Sequence, residues 1–222
     1  MRIGVLGTGS VGRTLGSALL RGGHEVRLGS RTAGNEAAVA WAEQIGGPAS
    51  EGTFADAAGF GELVINATAG AASLEALRMA GYEQLAGKVL LDVANPLDTS
   101  RGMPPTLTVC NDDSLGEQIQ RALPDVRVVK TLNTVTAAVM VDPALVDGTH
   151  SVFVAGDDDA AKGQAAELLQ EFGWPAGSII DLGDITAARG TEMYMALWLR
   201  LWGATGTAVL NVEVRCADPP AG

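Results

Sequence analysis

Apolar positions along this chain fall into two alternating rhythms. Short unbroken runs at Ile3 to Leu6, Leu63 to Asn66, Lys88 to Val93, Arg127 to Leu132 and Ser151 to Ala155 have the length of strands buried on both faces. Longer stretches with apolar residues every three or four positions lie between them. Val11, Leu15 and Leu19 make one such stripe, and Gly22-Gly23 stops it. The alternation predicts an α/β fold, a doubly wound parallel sheet with helices on both faces. A second strand is expected at Glu25 to Leu28, a helix at Asn35 to Ile45, a poorly marked strand near Ala49 and a short helix at Phe54 to Ala58. A helix capped by Ser73 and reaching Leu85, a loop at Asp98 to Asn111, and a helix at Ser114 to Leu123 follow. Ile179 to Leu182 reads as the last short strand of the sheet.

The first turn carries the most chemistry. Gly7, Gly9 and Gly12 form G-x-G-x-x-G directly after a strand and at the start of a helix. In a dinucleotide site the first glycine makes the turn, the second lets backbone approach a pyrophosphate, and the third lets helix and strand pack closely. With 29 glycines in the chain, spacing alone is weak evidence, and an incidental glycine turn is the competing reading; the strand–turn–helix–strand context favours the dinucleotide. The second strand then runs into Leu28-Gly29-Ser30-Arg31-Thr32, without the acid that holds a ribose 2′-hydroxyl in NAD sites. Glu25 stands too early. Ser30, Arg31 and Thr32 suit a 2′-phosphate, so NADP is the expected cofactor, against the alternative of a solvated turn.

From Asp184 the pattern changes. Met193 to Leu210 is strongly apolar, with Tyr194, Trp198 and Trp202, yet Arg200 lies in the middle, Glu192 at the edge, and Gly203 and Gly206 interrupt. That is not a membrane span. A buried or subunit-contact helix is expected, then a short strand at Asn211 to Arg215 and a loose tail at Ala217 to Gly222. The expected division is a nucleotide-binding domain over 1–182 and a helical segment over 183–222 that closes the cleft or forms a homodimer contact.

A net charge of −11 argues against nucleic acid and anionic membranes as partners and leaves small molecules. Cys110 and Cys216 lack any ligand or redox spacing and fit a reducing compartment; the chain opens into a strand, so cytoplasm is the expected location. His24 and His150, the only histidines, have no metal-ligand neighbours. Asp157-Asp158-Asp159 reads as the start of a helix from Ala160 to Phe172 rather than a metal site. The strand ends that should line the ligand crevice are Asn66-Ala67-Thr68-Ala69-Gly70, Val93-Ala94-Asn95-Pro96 and Leu132-Asn133-Thr134-Val135. They hold no Ser-His-Asp set, no paired carboxylates and no catalytic lysine, so no catalytic residue is assigned. Hydride transfer between two bound redox cofactors needs alignment more than a protein acid, whereas ketone reduction usually needs a proton donor.

These residues together resemble the NADP oxidoreductases that depend on coenzyme F420, a deazaflavin. The likeness covers nearly the whole chain. It rests on Met1 to Gly12, Gly22-Gly23-His24-Glu25-Val26, Leu28-Gly29-Ser30-Arg31, Val128-Val129-Lys130-Thr131-Leu132-Asn133-Thr134 and Val154-Ala155-Gly156-Asp157-Asp158-Asp159. The resemblance implies reversible hydride exchange between NADP and the deazaflavin. It places Thr8, Gly9, Ser10 and Val11 on the pyrophosphate and Ser30 and Arg31 on the 2′-phosphate. Ala67, Asn95 and Ala137 would line the rest of the dinucleotide, with Asn133 and Thr134 near the stacked rings. Asn133 stands where some members carry His, and Asn35 where they carry a basic residue. Arg101, Arg189 and Arg200 are the candidates for the acidic tail of the deazaflavin. A flavin or imine reductase and a non-catalytic NADP-binding regulator are the rival readings.

Overall fold

In the computed structural model, which describes residues 1–217, the alternation resolves into strands and helices in this order. The first half contains β1 (Arg2–Leu6), α1 (Ser10–Arg21), β2 (Glu25–Ser30), α2 (Glu36–Ile45), β3 (Ala49–Thr53), α3 (Phe54–Phe60), β4 (Leu63–Asn66), α4 (Gly70–Ala80), α5 (Tyr82–Leu85) and β5 (Val89–Asp92). The second contains β6 (Leu97–Asp98), β7 (Thr106–Leu107), α6 (Leu115–Ala122), β8 (Arg127–Thr131), α7 (Ala137–Val141), β9 (Val152–Ala155), α8 (Asp159–Glu171), β10 (Ile179–Asp181) and α9 (Ala188–Thr205).

Eight of these strands form one sheet in the order β10-β9-β8-β5-β4-β1-β2-β3. The chain winds outward from β1 to β3, then returns to β4 on the other side of β1. That reversal opens a crevice at the carboxyl ends of β1 and β4. Side chains alternate between two cores, one on each face. Val5, Ile65, Leu91 and Val129 join the cluster containing Leu15, Leu28 and Trp41. Their strand neighbours Leu6, Val64, Leu90 and Val128 join the cluster containing Phe54, Leu77 and Ile119. This two-residue period is why the strands read as unbroken apolar runs.

The structure corrects five local expectations. The sheet is mixed: β8 and β9 pair antiparallel, Lys130 with Ala155 and Thr131 with Val154. The connection over 132–151 carries only the five-residue α7 and a single further turn, no helix that runs back along the sheet, and it enters β9 from the carboxyl end of β8. Ser73 is not a cap. It lies buried inside α4, where Asn66 Nδ2 donates to its hydroxyl at 3.0 Å. The helix expected to reach Leu85 breaks at Gly81, whose φ of 88° continues no right-handed helix, and restarts as α5. The loop at Asp98 to Asn111 contains the second strand of the β6–β7 hairpin, Leu97 pairing with Leu107. Asn211 to Arg215 forms no strand. Its backbone makes single bonds to Ser151, because β9 is already flanked by β8 and β10 and has no free edge to extend.

Other boundaries move by a residue or two. β2 continues to Ser30, which places Ser30 at the strand tip beside the crevice. Asp158 caps α8, accepting from the Ala161 amide at 2.7 Å. α9 is continuous through Gly203 and ends at Gly206. It turns Glu192, Met195 and Trp198 inward and leaves Met193, Leu197 and Trp202 exposed. Among the described residues no helix is long and apolar enough to cross a membrane. Of the expected tail, 218–222 lie outside the described residues.

Candidate dinucleotide site

The glycine turn has the shape its spacing demands. Gly7 adopts φ 120°, and its amide donates to the Gly29 carbonyl at 2.9 Å, fixing the turn against β2. A Cβ at Gly12 would sit 2.1 Å from the Gly7 carbonyl oxygen, so only glycine lets α1 pack this closely. A Cβ at Gly9 would meet nothing within 4 Å. That open side is the approach a phosphate needs, and no side chain caps the start of α1. Arg13 donates to the Thr8 carbonyl at 2.9 Å and holds a guanidinium beside the same turn.

A cleft of about 690 Å³ runs from this turn past Ser30, Arg31 and Thr32 to Ala67, Thr68, Phe54 and Met79. Arg31 is exposed and has no ion-pair partner among the described residues. Ser30 is different: its hydroxyl donates to the Thr32 carbonyl at 2.5 Å, so its single proton orders the turn. Two carboxylates approach this region and both are engaged. Glu75 accepts two bonds from Arg78, at 2.8 and 2.6 Å, and that guanidinium holds its carboxyl below the usual range. Glu51 accepts from the Gly34 amide at 3.0 Å.

A second group of expected residues gathers at the carboxyl ends of β5 and β8. Asn95 donates to the Asn133 carbonyl at 2.7 Å, and the Asn133 amide donates to Asn95 Oδ1 at 2.9 Å. Leu132, with φ 60°, makes the bend that brings Asn133 back to Asn95. The Thr134 hydroxyl is buried without a hydrogen-bond partner among the described residues. Ala137 begins α7, which packs on α1. Gly7, Thr8, Gly9, Ser30, Arg31 and Ala67 therefore share the cleft. Ser10 lines a separate hollow between α1 and α2, Val11 and Gly12 lie within α1, and Asn95, Asn133 and Ala137 lie outside the cleft.

Sequence reasoning passed over the ionic cluster beneath these strand ends. Asp92 and Lys130 face each other in register on β5 and β8. Lys130 Nζ lies 2.8 Å from Asp92, 2.8 Å from Glu192 and 2.5 Å from the Ala94 carbonyl. Asp92 also accepts from Asn66, and Thr68 donates to the other side of Asn66 at 2.6 Å. The visible signal was a lysine inside a central strand, directly after Val128 and Val129. Of the three tail candidates, Arg189 is committed to Glu117 by two bonds of 2.8 and 2.5 Å. Arg200 lines an open hollow of about 430 Å³ with Met103, Pro104, Leu199 and Trp202, between the β6–β7 connection and α9.

A doubly wound sheet with a glycine turn at its reversal point and a basic strand tip beside it defines a Rossmann-type nucleotide-binding protein. The model of the family described as "NADP oxidoreductase coenzyme F420-dependent" matches residues 2–96. A crystal structure from Arthrobacter sp. FB24, named as a candidate F420-dependent NADP-reductase, is 53% identical with a TM-score of 0.91, covering 97% of this chain and 100% of that one. The F420-dependent NADP reductase of Methanocaldococcus jannaschii is 29% identical over 168 residues, 72% of each chain. Metalloreductase STEAP3 of Rattus norvegicus is 28% identical over 96% of this chain, which spans only 40% of that protein. The chain belongs to the coenzyme F420-dependent NADP oxidoreductase family, and is an NAD(P)-binding oxidoreductase of it.

Proposed function

We propose that this protein exchanges a hydride between NADP(H) and the deazaflavin coenzyme F420. The observation that carries the reading is the character of the strand ends. Their amides are tied to one another, and Lys130 directs its donors at Asp92, Glu192 and Ala94. Such a floor orients rings and excludes water, and its unpartnered group, the Thr134 hydroxyl, is a poor acid, which suits transfer between two cofactors. Bound NADP supplies or accepts the hydride. The open side of Gly9 and the free amides of Ser10 and Val11 hold its pyrophosphate, with Thr8 at the turn, while Gly7 and Gly12 keep the turn closed behind it. Arg31 meets the 2′-phosphate at the tip formed by Ser30. Ala67, Asn95, Asn133 and Ala137 line the path to the nicotinamide.

On the acceptor side, the segment from 183 through α9 closes the site, and Arg200 faces the acidic tail of the deazaflavin across an otherwise apolar hollow. The family name and the name of the archaeal relative support this acceptor. With purified protein, NADPH absorbance should fall with oxidised F420 and stay constant with FMN, FAD or riboflavin. Turnover with a flavin alone would overturn the acceptor assignment. The exposed Met193 and Leu197, one turn apart on α9, are assigned to the contact between two copies. Light scattering at micromolar concentration should give twice the chain mass; a monomer would remove that assignment. Two exposed free thiols, Cys110 and Cys216, support a reducing cytoplasmic setting.

A further inference from the structure

The buried cluster has one acid more than its lysine needs. Asp92 Oδ1 accepts from Asn66 Nδ2 at 2.8 Å and from the Ala94 amide at 3.3 Å, while Oδ2 faces Lys130. Glu192 Oε1 faces Lys130 and the Gly116 amide, and Oε2 accepts from the Leu115 amide at 2.8 Å. Each carboxylate oxygen meets only donors, and the ammonium meets only acceptors. One cation against two carboxylates leaves one excess negative charge. Asp92, Lys130 and Glu192 are 0%, 1% and 1% exposed, so salt in solution screens that charge poorly.

Nearby groups do not cancel it. Arg189 and Glu117 form a neutral pair on the α6 side. The amides at the start of α6 contribute about half a positive charge, which offsets part of the excess. A single acid would neutralise the lysine, and replacing buried ion sets by apolar groups of similar volume is often neutral or stabilising. Glu192 ties α9 to the start of α6 through the Leu115 and Gly116 amides, and the charge it adds there also has an electrostatic role.

Position supplies the role. Lys130 holds the carbonyl of Ala94, the residue before Asn95, and Asn95 is bonded to Asn133. The excess charge thus lies directly behind the floor assigned above to the nicotinamide, and the inference rests on that assignment. The oxidised nicotinamide is a cation and the reduced ring is neutral. We propose that the Asp92–Lys130–Glu192 cluster biases the bound dinucleotide toward its oxidised form, making NADPH a stronger hydride donor on this protein than in water. The three residues act through the field they create, as positioning groups.

The test is the pair of dissociation constants for NADP⁺ and NADPH, in the wild type and in Glu192→Gln and Asp92→Asn. Each substitution removes one negative charge with little change of shape, and each breaks different hydrogen bonds. In either variant NADP⁺ binding should weaken about tenfold while NADPH binding changes little, the effect of one unit charge about 12 Å away in a medium of effective dielectric near 20. An equal change for both forms, or none, in a folded variant would overturn the proposal. If one variant fails to fold, the other decides. A wild type that binds neither form would sink the dinucleotide reading as well, whereas failure with F420 would leave the affinity ratio intact.

Discussion

Lys130→Met should lower the stability of the folded chain by about 3–5 kcal/mol, because it leaves Asp92 and Glu192 buried side by side without their cation. For a chain of this size that is a fall in melting temperature of roughly 6–20 °C. Calorimetry or thermal circular dichroism reads it directly. Burial pulls the Lys130 ammonium down, but the two facing carboxylates outweigh burial and raise it above its ordinary 10.5. A raised cation stabilises the fold fully below its unfolded value, and the contribution is lost as pH climbs through the folded value. The deficit of the variant should therefore be flat across the neutral range and shrink in strong alkali. A deficit below about 1 kcal/mol would mean that the cluster contributes nothing as an ion set.

Arg31→Ala should weaken NADPH binding by about ten- to a hundredfold and leave NADH binding nearly unchanged. A hydrogen bond to a charged group contributes about 1.5–3 kcal/mol, which is that range in affinity. Two features place the burden on this side chain. The proton of Ser30 is committed to Thr32, and Glu75, the acid lining the same cleft, is already paired with Arg78. Arg31 is exposed, so the discrimination should shrink as salt is raised. Arg31→Lys keeps the charge but loses the planar fork, and should fall between wild type and alanine. Equal affinity of the wild type for NADPH and NADH would sink the 2′-phosphate assignment. Isothermal titration separates these outcomes.

How far the chain could be read in advance depended on the range of the interactions. The first turn was legible because its constraint is local. Gly7, Gly9 and Gly12 lie within six residues: Gly7 takes a positive φ, Gly12 packs against the Gly7 carbonyl, and Gly9 leaves its side open, although the space at Gly7 is also closed by Ala67 from β4's end. The cap at Asp158 and the apolar faces of the central strands were legible for the same reason. Ser73 misled because a serine in a helix-forming stretch looks like a cap, whereas here its hydroxyl donates back to the Ala69 carbonyl and accepts from Asn66 on β4. Arg13 passed unnoticed because α1 had to form before its guanidinium could return to Thr8.

By itself the sequence determined the strand–helix alternation, the glycine turn, the basic tip at Arg31 and the apolar character of α9, all set by spacing and side-chain type over a few residues. Tertiary structure decided the rest. The antiparallel return of β9 depends on where a short α7 leaves the chain. The separation of Arg189 from Arg200 as candidate anion partners depends on Glu117 lying beside the first. Glu192, legible in the chain only as a charge at the edge of an apolar stretch, becomes a buried partner of Lys130 once α9 folds over β5 and β8. Charges so far apart in sequence affect one another strongly only when the fold brings them to contact distance and excludes the water that would otherwise screen them.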